Sequence, residues 1–595
     1  MKFLSDLQAA LKQAFLHLYQ YEAEAIVLQS TKKEFEGSYT FVTFPYTKTV
    51  GQKPADIAQA LGEHLLAEGR LIKKFNVVQG FLNLSLRDEI WLAIFADMQS
   101  QENFGSGQPQ GQKVLVEYSS PNTNKPLHLG HLRNNFLGYA IAQILQAQGY
   151  EVHKTQIIND RGIHICKSML AYQQFGQGET PQSSGLKGDH LVGKYYVAFD
   201  KVYKAQIAEG LAQGLSQEEA EKQAPIMLAA QEMLRQWEQQ EPKVVALWQQ
   251  MNSWVYEGFE ATYRAIGVDF DSRYYESDTY LLGKDIVEEG LAKGVFYKKE
   301  DQSVWIDLSA EGLDQKLVLR GDGTSVYMTQ DLGTAERRFQ EHQMQKMVYV
   351  VGNEQDYHFK VLFLILQKLG RSYAPGLFHL SYGMVDLPTG KMKSREGTIV
   401  DADDLVAEVT EIAKNKTEEK LQISGMLGEF SEEERKHLYH IIGLGALKYF
   451  LLKVDPKKRM TFDPNESVNF EGDAAPFIQY THARIKSVLR KAEALALPQA
   501  EQPYSSLQAS EVALLQALSE LPTKIQEAAD TYSPSLLAQY AYELTKLYNS
   551  FYAELSILKA EQTEAIHFRV QLSALVAGSI KQVMRLLGIE VPERM

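Results

Sequence analysis

The chain runs to 595 residues, too many for one core at roughly 150 residues per domain, and carries 61 Lys and Arg against 75 Asp and Glu, a net charge of −14, with one cysteine. A single thiol excludes an intrachain disulfide and a multi-cysteine zinc site, and the net acidity excludes indiscriminate nucleic-acid binding through overall charge. No apolar run approaches the roughly 20 residues of a membrane span, and Met1 to Gln20 holds Asp6 in an amphipathic pattern unlike a signal peptide, which predicts a cytoplasmic protein.

Residues 1–108 read as a small α+β domain: an N-terminal helix, a strand in YTFVTF (39–44), a helix from Pro54 to Glu68, and a strand in GFLNLSL (80–86). The Gly- and Gln-rich FGSGQPQGQ (104–112) is its exit linker. From 109 to 400, strands VLVEYS, VHKTQIIN, SVWIDL, MVYVVG and FHLSYGMV alternate with helices, which predicts an open parallel α/β sheet with ligands at its carboxyl edge. A polar, Gln- and Glu-rich helical stretch at about 170–260 interrupts it as an insertion. After 400 the strand signals vanish and helical periodicity continues through LYHIIGLGALKYFLL (438–452) to the C-terminus, predicting a helical bundle.

The most informative junction is VLVEYSSPNTNKPLHLGHLRNNFLG (114–138), an apolar strand followed by a turn and a helix opening on HLGH. Backbone N–H groups at a helix start carry partial positive charge, and Gly130 lets a nucleotide approach the backbone. His128 and His131, three apart, share a helical face and can donate to phosphate oxygens. Chance predicts HxGH about 0.02 times in such a chain, unusual without being decisive, and capping or packing explains many single histidines. A later strand leads into GKMKSREG (390–397), where Lys391, Lys393 and Arg395 can neutralise a leaving polyphosphate. A solvated basic turn explains that loop as well.

HLGH and KMKSR together resemble the HIGH and KMSKS motifs of class I aminoacyl-tRNA synthetases. The stretches 116–138, NDRGIHICKSM (159–169), VYMTQD (326–331) and FIQYTHARIKSVLRKA (477–492) are similar, in order and spacing, to arginyl-tRNA synthetases over almost the whole length. The resemblance implies a Rossmann-like catalytic domain at 109–400, an N-terminal tRNA-binding domain at 1–108, a connecting helical region at 401–465 and an anticodon-binding bundle at 466–595. ATP is implied at His128, Gly130, His131 and the loop Lys391, Met392, Lys393, Ser394 and Arg395. One position departs from the motif: its second lysine is replaced by Ser394, and Lys125, just before HLGH, stands where such enzymes supply a substitute.

Arginine selection needs an anionic acceptor for a planar, permanently charged guanidinium. Asp331 matches that place, with Tyr327 near the end of a presumed SVYMT strand as hydroxyl and wall; an N-cap role for Asp331 is the competing reading. Ser120, Asn122 and Gln355 match positions holding the amino acid's backbone end. Toward tRNA, Phe81 and Asn83 match positions against the D-loop, and Tyr480, Tyr552 and Met595 match positions lining anticodon bases. Local basic runs, Lys453 to Arg459 and Arg484 to Lys491, are candidate backbone contacts or solvated helix faces.

The activity implied is an arginine–tRNA ligase, using ATP with Mg²⁺ to make arginyl-adenylate and passing arginine to the terminal adenosine of tRNA(Arg). No zinc, no metal site of the chain's own and a monomeric state are expected. Two other classes compete: an HxGH nucleotidyltransferase acting on a small molecule without tRNA, and an RNA-binding scaffold with an inactive synthetase fold. More than a hundred C-terminal residues with basic helical faces oppose the first, and the retained His128, His131, Lys125 and Asp331 oppose the second.

Overall fold

In the computed structural model, residues 2–32, 34–388, 400–423, 425–495 and 502–595 are described. The Lys2–Tyr19 helix buries Leu7, Leu11, Ala14 and Phe15 completely, the stripe that 3.6-residue periodicity demands, and Phe15 meets Phe41 at 5.8 Å. Phe41 belongs to an antiparallel sheet in the order Leu28–Ser30, Tyr39–Val42, Phe81–Leu86, Ile72–Val78. This first unit docks on the C-terminal helices: Phe95 packs against Phe568 at 5.1 Å, and Gln516 donates to the Ser38 carbonyl at 2.9 Å.

The central sheet has five parallel strands in the order Leu377–Tyr382, Lys346–Gly352, Lys113–Glu117, Glu151–Ile158, Ser272–Tyr275. Val114, Leu115 and Val116 are almost wholly buried, as the middle strand of a sheet covered on both faces requires. From that strand the chain steps outward to one edge and later returns to its other side. The order therefore reverses between Lys113–Glu117 and Lys346–Gly352, where a crevice opens beyond the carboxyl ends.

The expected alternation is corrected in three places. SVWIDL lies in a separate three-stranded antiparallel sheet (Tyr297–Lys298, Val304–Ile306, Lys316–Leu319), while the edge of the parallel sheet is Ser272–Tyr275, which no sequence pattern singled out. SVYMT is not a strand: a helix begins at Tyr327 and continues to His342. After 400, among the described residues, one strand remains, Met460–Thr461, paired parallel with Val385–Asp386.

The insertion is helical as expected, with long helices Gly188–Ala212, Pro225–Glu238 and Pro242–Ile266 following Ile163–Phe175. Asp160 ties it to the sheet edge: its carbonyl accepts from Trp248 Nε1 (2.6 Å) and Asn252 (3.1 Å), and its carboxylate from Tyr256 (2.8 Å) and Ser277 (2.7 Å). Beyond 400, Ala402–Ile423 and Glu432–Leu452 pack on each other, and Ala475–Ala494, Ala509–Asp530, Ser535–Glu554 and Thr563–Leu586 form the bundle.

Candidate active site

The helix Leu129–Ala147 starts at the crevice, capped by its own histidines. His128, the N-cap, accepts the Gly130 N–H on Nδ1 at 3.1 Å, and His131 Nδ1 accepts the His128 N–H at 3.1 Å. Backbone N–H groups only donate, so both Nδ1 atoms are unprotonated and each neutral ring carries its hydrogen on Nε2. No partner among the described residues takes either Nε2–H. Burial, then Lys125, pushes His128 down to about 4; burial, then His128 and Lys125, holds His131 well below its ordinary value. The rings lie 3.8 Å apart and are neutral at pH 7. Lys125 is half-buried, and burial lowers its pKa.

The next turn of this helix, Leu132 to Asn135, carries residues that the sequence reading passed over. Asn134 spans the crevice floor: its oxygen accepts the Ser119 N–H at 2.6 Å, and its nitrogen donates to the Val350 carbonyl at 2.7 Å. It satisfies backbone groups of the two strands where they part. Arg133, fully buried, donates to the carbonyls of Gly383 (2.6 Å), Lys458 (3.0 Å) and Pro456 (3.2 Å), and burial pushes it down to about 10. Three polar side chains in sequence on an otherwise apolar helix were the available signal.

Lys391, Met392, Lys393, Ser394 and Arg395 lie outside the described residues. Just after them, the Val400 carbonyl accepts the Leu129 N–H (3.4 Å) and Ala402 N–H donates to the Leu127 carbonyl (2.9 Å), an antiparallel bridge that sets Asp401 opposite His128. Next to it, ligand atoms of His190, Asp401 and Asp403 lie within 4.8 Å of one another, but the Lys187 ammonium already sits on Asp403, where a cation would otherwise be needed.

A cavity of about 600 Å³ opens at the same sheet edge, its wall including Asn122, Tyr327, Arg161, His164 and Glu276. Two of the five predicted arginine contacts, Asn122 and Tyr327, therefore meet there, and Tyr327 is 76% exposed. Lys125 bears on the His164 ring of this wall as well as on the two imidazoles. Asp331 is the fifth residue of its helix, which removes the N-cap reading, and its carboxylate holds His358 Nε2 at 2.6 Å. Asp331 is not part of the cavity wall, yet its charge acts on Glu276, which is in it; burial, above all, raises Glu276. Glu276 was missed because it follows the unrecognised edge strand. Ser120 is half-buried in the turn, its carbonyl accepting from Asn159 at 3.3 Å, and Gln355 is exposed where Lys346–Gly352 ends.

The predicted tRNA contacts fare unequally. Asn83 is fully buried, its oxygen bonded to Thr40 at 2.6 Å, which makes it part of the sheet's interior; Phe81 is half-buried beside the exposed Phe44 at 5.4 Å. Tyr480 and Tyr552 flank the Arg484 guanidinium at 4.9 and 5.5 Å, a cation between two rings. Met595 packs partly buried on the core. Of the basic runs, Lys453 pairs with Asp473 at 3.3 Å and Lys486 with Glu593 at 3.0 Å.

Three family models match the chain: an arginyl tRNA synthetase N terminal domain over residues 2–86, a class I (R) tRNA synthetase catalytic domain over 94–463, and a DALR anticodon binding domain over 478–595. The chain is 58% identical to the arginine–tRNA ligase of Amoebophilus asiaticus, covering 99% of both, and 55% identical to that of Flavobacterium psychrophilum, covering 100% of both. Among solved structures it resembles Thermus thermophilus arginyl-tRNA synthetase with a TM-score of 0.77 at 25% identity, over 99% of this chain and 100% of that one. The Plasmodium falciparum enzyme shares the fold, with a TM-score of 0.74 at 18% identity over 99% of each.

Proposed function

The chain belongs to the class I arginyl-tRNA synthetases, and from that premise we propose which of its residues carry each step. It is an arginine–tRNA ligase: it activates arginine with ATP to arginyl-adenylate and transfers the arginyl group to the terminal adenosine of tRNA(Arg). A nucleotidyltransferase without tRNA is not favoured, since the match runs through the anticodon domain.

The observation that carries the residue assignment is the pair of neutral imidazoles whose Nδ1 atoms are fixed by backbone N–H groups at the sheet's switch point. Each ring is left one N–H to donate. As the arginine carboxylate attacks the α-phosphate and pyrophosphate departs, charge builds on phosphate oxygens, and His128, His131 and Lys125 stabilise it. Lys391, Lys393 and Arg395 add positive charge from the loop. No residue forms a covalent bond with substrate; alignment and charge stabilisation do the chemistry. Two imidazoles and an ammonium are a poor oxygen cage for Mg²⁺, so the ion enters on the triphosphate of ATP.

Asn122, Ser120 and Gln355 hold the backbone end of arginine, and Tyr327 walls its side chain. Asp331 and Glu276 supply two carboxylates for the guanidinium. Phe81, Tyr480, Tyr552 and Met595 face tRNA, with Asn83 supporting Phe81 from inside the sheet. The division of labour follows 1–108, 109–400, 401–465 and 466–595. The protein acts as a cytoplasmic monomer. The test is pyrophosphate exchange and tRNA charging with each of the twenty amino acids: arginine alone should support charging, and charging with another amino acid overturns the pocket.

A further inference from the structure

The helix Gly188–Ala212 of the insertion presses its first turns on both sides of the HLGH approach. At Gly193 the backbone comes so close to Pro126 that an added Cβ would lie 3.0 Å from its Cδ and 3.7 Å from Lys125 Cα. Three residues earlier, on the same helical face, His190 directs Nε2 at two carboxylates, Asp401 Oδ2 at 3.3 Å and Asp403 Oδ2 at 3.2 Å.

Both carboxylates belong to the start of the helix Ala402–Ile423. Asp401 caps it, its Oδ1 accepting from the Asp403 N–H at 2.7 Å, while its Oδ2, sequestered from solvent, has no hydrogen-bond partner among the described residues and meets His190 Nε2 as a charge contact. Asp403 is gripped by Lys187, by His190 and by Thr262 (2.9 Å) of the helix Pro242–Ile266. Lys187 also reaches Asp189 Oδ2 at 3.2 Å, and Asp189 is fully buried. The titratable groups facing His190 are thus Lys187 and Asp189 beside it in sequence and Asp401 and Asp403 across the contact.

Asp401 stands opposite His128 in the backbone bridge of Leu127–Leu129 with Val400–Ala402. We propose that His190 is a positioning residue for His128, holding Asp401 and with it the strand of backbone on which the imidazole at the triphosphate is mounted. The inference rests on the role assigned to His128 above. A charged His190 makes an ion pair with each aspartate; a neutral one makes a single hydrogen bond. Pairing with Asp403, above all, raises its pKa above the ordinary value, so the link is lost at higher pH than an ordinary histidine would allow.

The test is a cycle of His190→Ala, His128→Asn and the double variant, read as kcat and KM in arginine-dependent pyrophosphate exchange with tRNA present. His190→Ala should lower kcat about tenfold with little change in the KM for arginine, because misplacement of a catalytic group acts on the chemical step. In the His128→Asn background the same change should cost nothing further. The pH at which kcat falls as His190 deprotonates should also move down in Asp401→Asn, which keeps the helix cap and serves if His190→Ala does not fold. An unaffected His128→Asn enzyme overturns the reading of the site itself. A costly His128→Asn with a silent His190→Ala, or with losses that multiply in the double variant, overturns the positioning role alone.

Discussion

Asp331 and His358 sit 2.6 Å apart, carboxylate to imidazole, at the edge of the crevice. A guanidinium bound at Asp331, as proposed, would have to share or displace that contact, and a forked donor offers two hydrogen bonds where the imidazole offers one.

Removing the charge of Asp331 should therefore weaken arginine far more than removing its present partner. Asp331→Asn raises the KM for arginine on the order of 100-fold, the loss of charge-assisted hydrogen bonds, with ATP affinity little changed. Glu276→Gln raises it about tenfold, and His358→Ala less than either. Exchange kinetics at varied arginine check all three, and an unchanged KM in Asp331→Asn shows the pocket to be elsewhere.

The two HLGH rings are neutral in the native state and ordinary histidines when unfolded. As pH falls from about 6.5 toward 4, the unfolded chain takes up protons that the native rings refuse, so stability declines through that window; above it these rings contribute no pH dependence. Urea midpoints at pH 7 and pH 5 should differ more in the wild type than in a His128→Asn/His131→Asn variant. The same rings impose no break in kcat near pH 6.5.

Lys125 is proposed above to stand in for the lysine that Ser394 replaces. Lys125→Met should lower kcat for exchange about 100-fold, the scale of removing one donor from a developing charge, while the KM for arginine stays nearly constant. If Lys393→Met has that effect and Lys125→Met does not, the substitution runs through the loop instead.

Arg133 gathers carbonyls from two segments far apart in sequence, Gly383 and 455–458, with no carboxylate among its hydrogen-bond partners in the described residues. Arg133→Met leaves the buried Gly383 and Pro456 carbonyls without their donor and should cost on the order of 3 kcal/mol, read from urea unfolding.

Where side chains face one dominant force, the sequence was legible. The buried central strand and the amphipathic C-terminal helices follow from apolar periodicity alone, whereas the capping by the HLGH histidines was only the competing reading of that motif. Ser272–Tyr275 was not, because a four-residue edge strand with Arg and Tyr lacks an apolar run and is defined by its pairing with Thr155–Ile158. SVWIDL has the right composition for the parallel sheet but pairs antiparallel beside it, a choice made by tertiary context. SVYMT reads as a strand by its Val, Tyr and Thr, yet Thr329 caps the Val326 N–H at 3.1 Å and starts a helix there. Glu276, Asn134 and His190 are visible only once distant segments have met.

The bridge between 127–129 and 400–402 joins the two ends of the nucleotide-binding domain. On the ribosome, His128 emerges long before its neighbour strand exists, and everything from the insertion to the last parallel strand must be threaded out first. A nascent chain halted anywhere short of Ala402 carries the signature histidines without the 400–402 segment that braces their backbone.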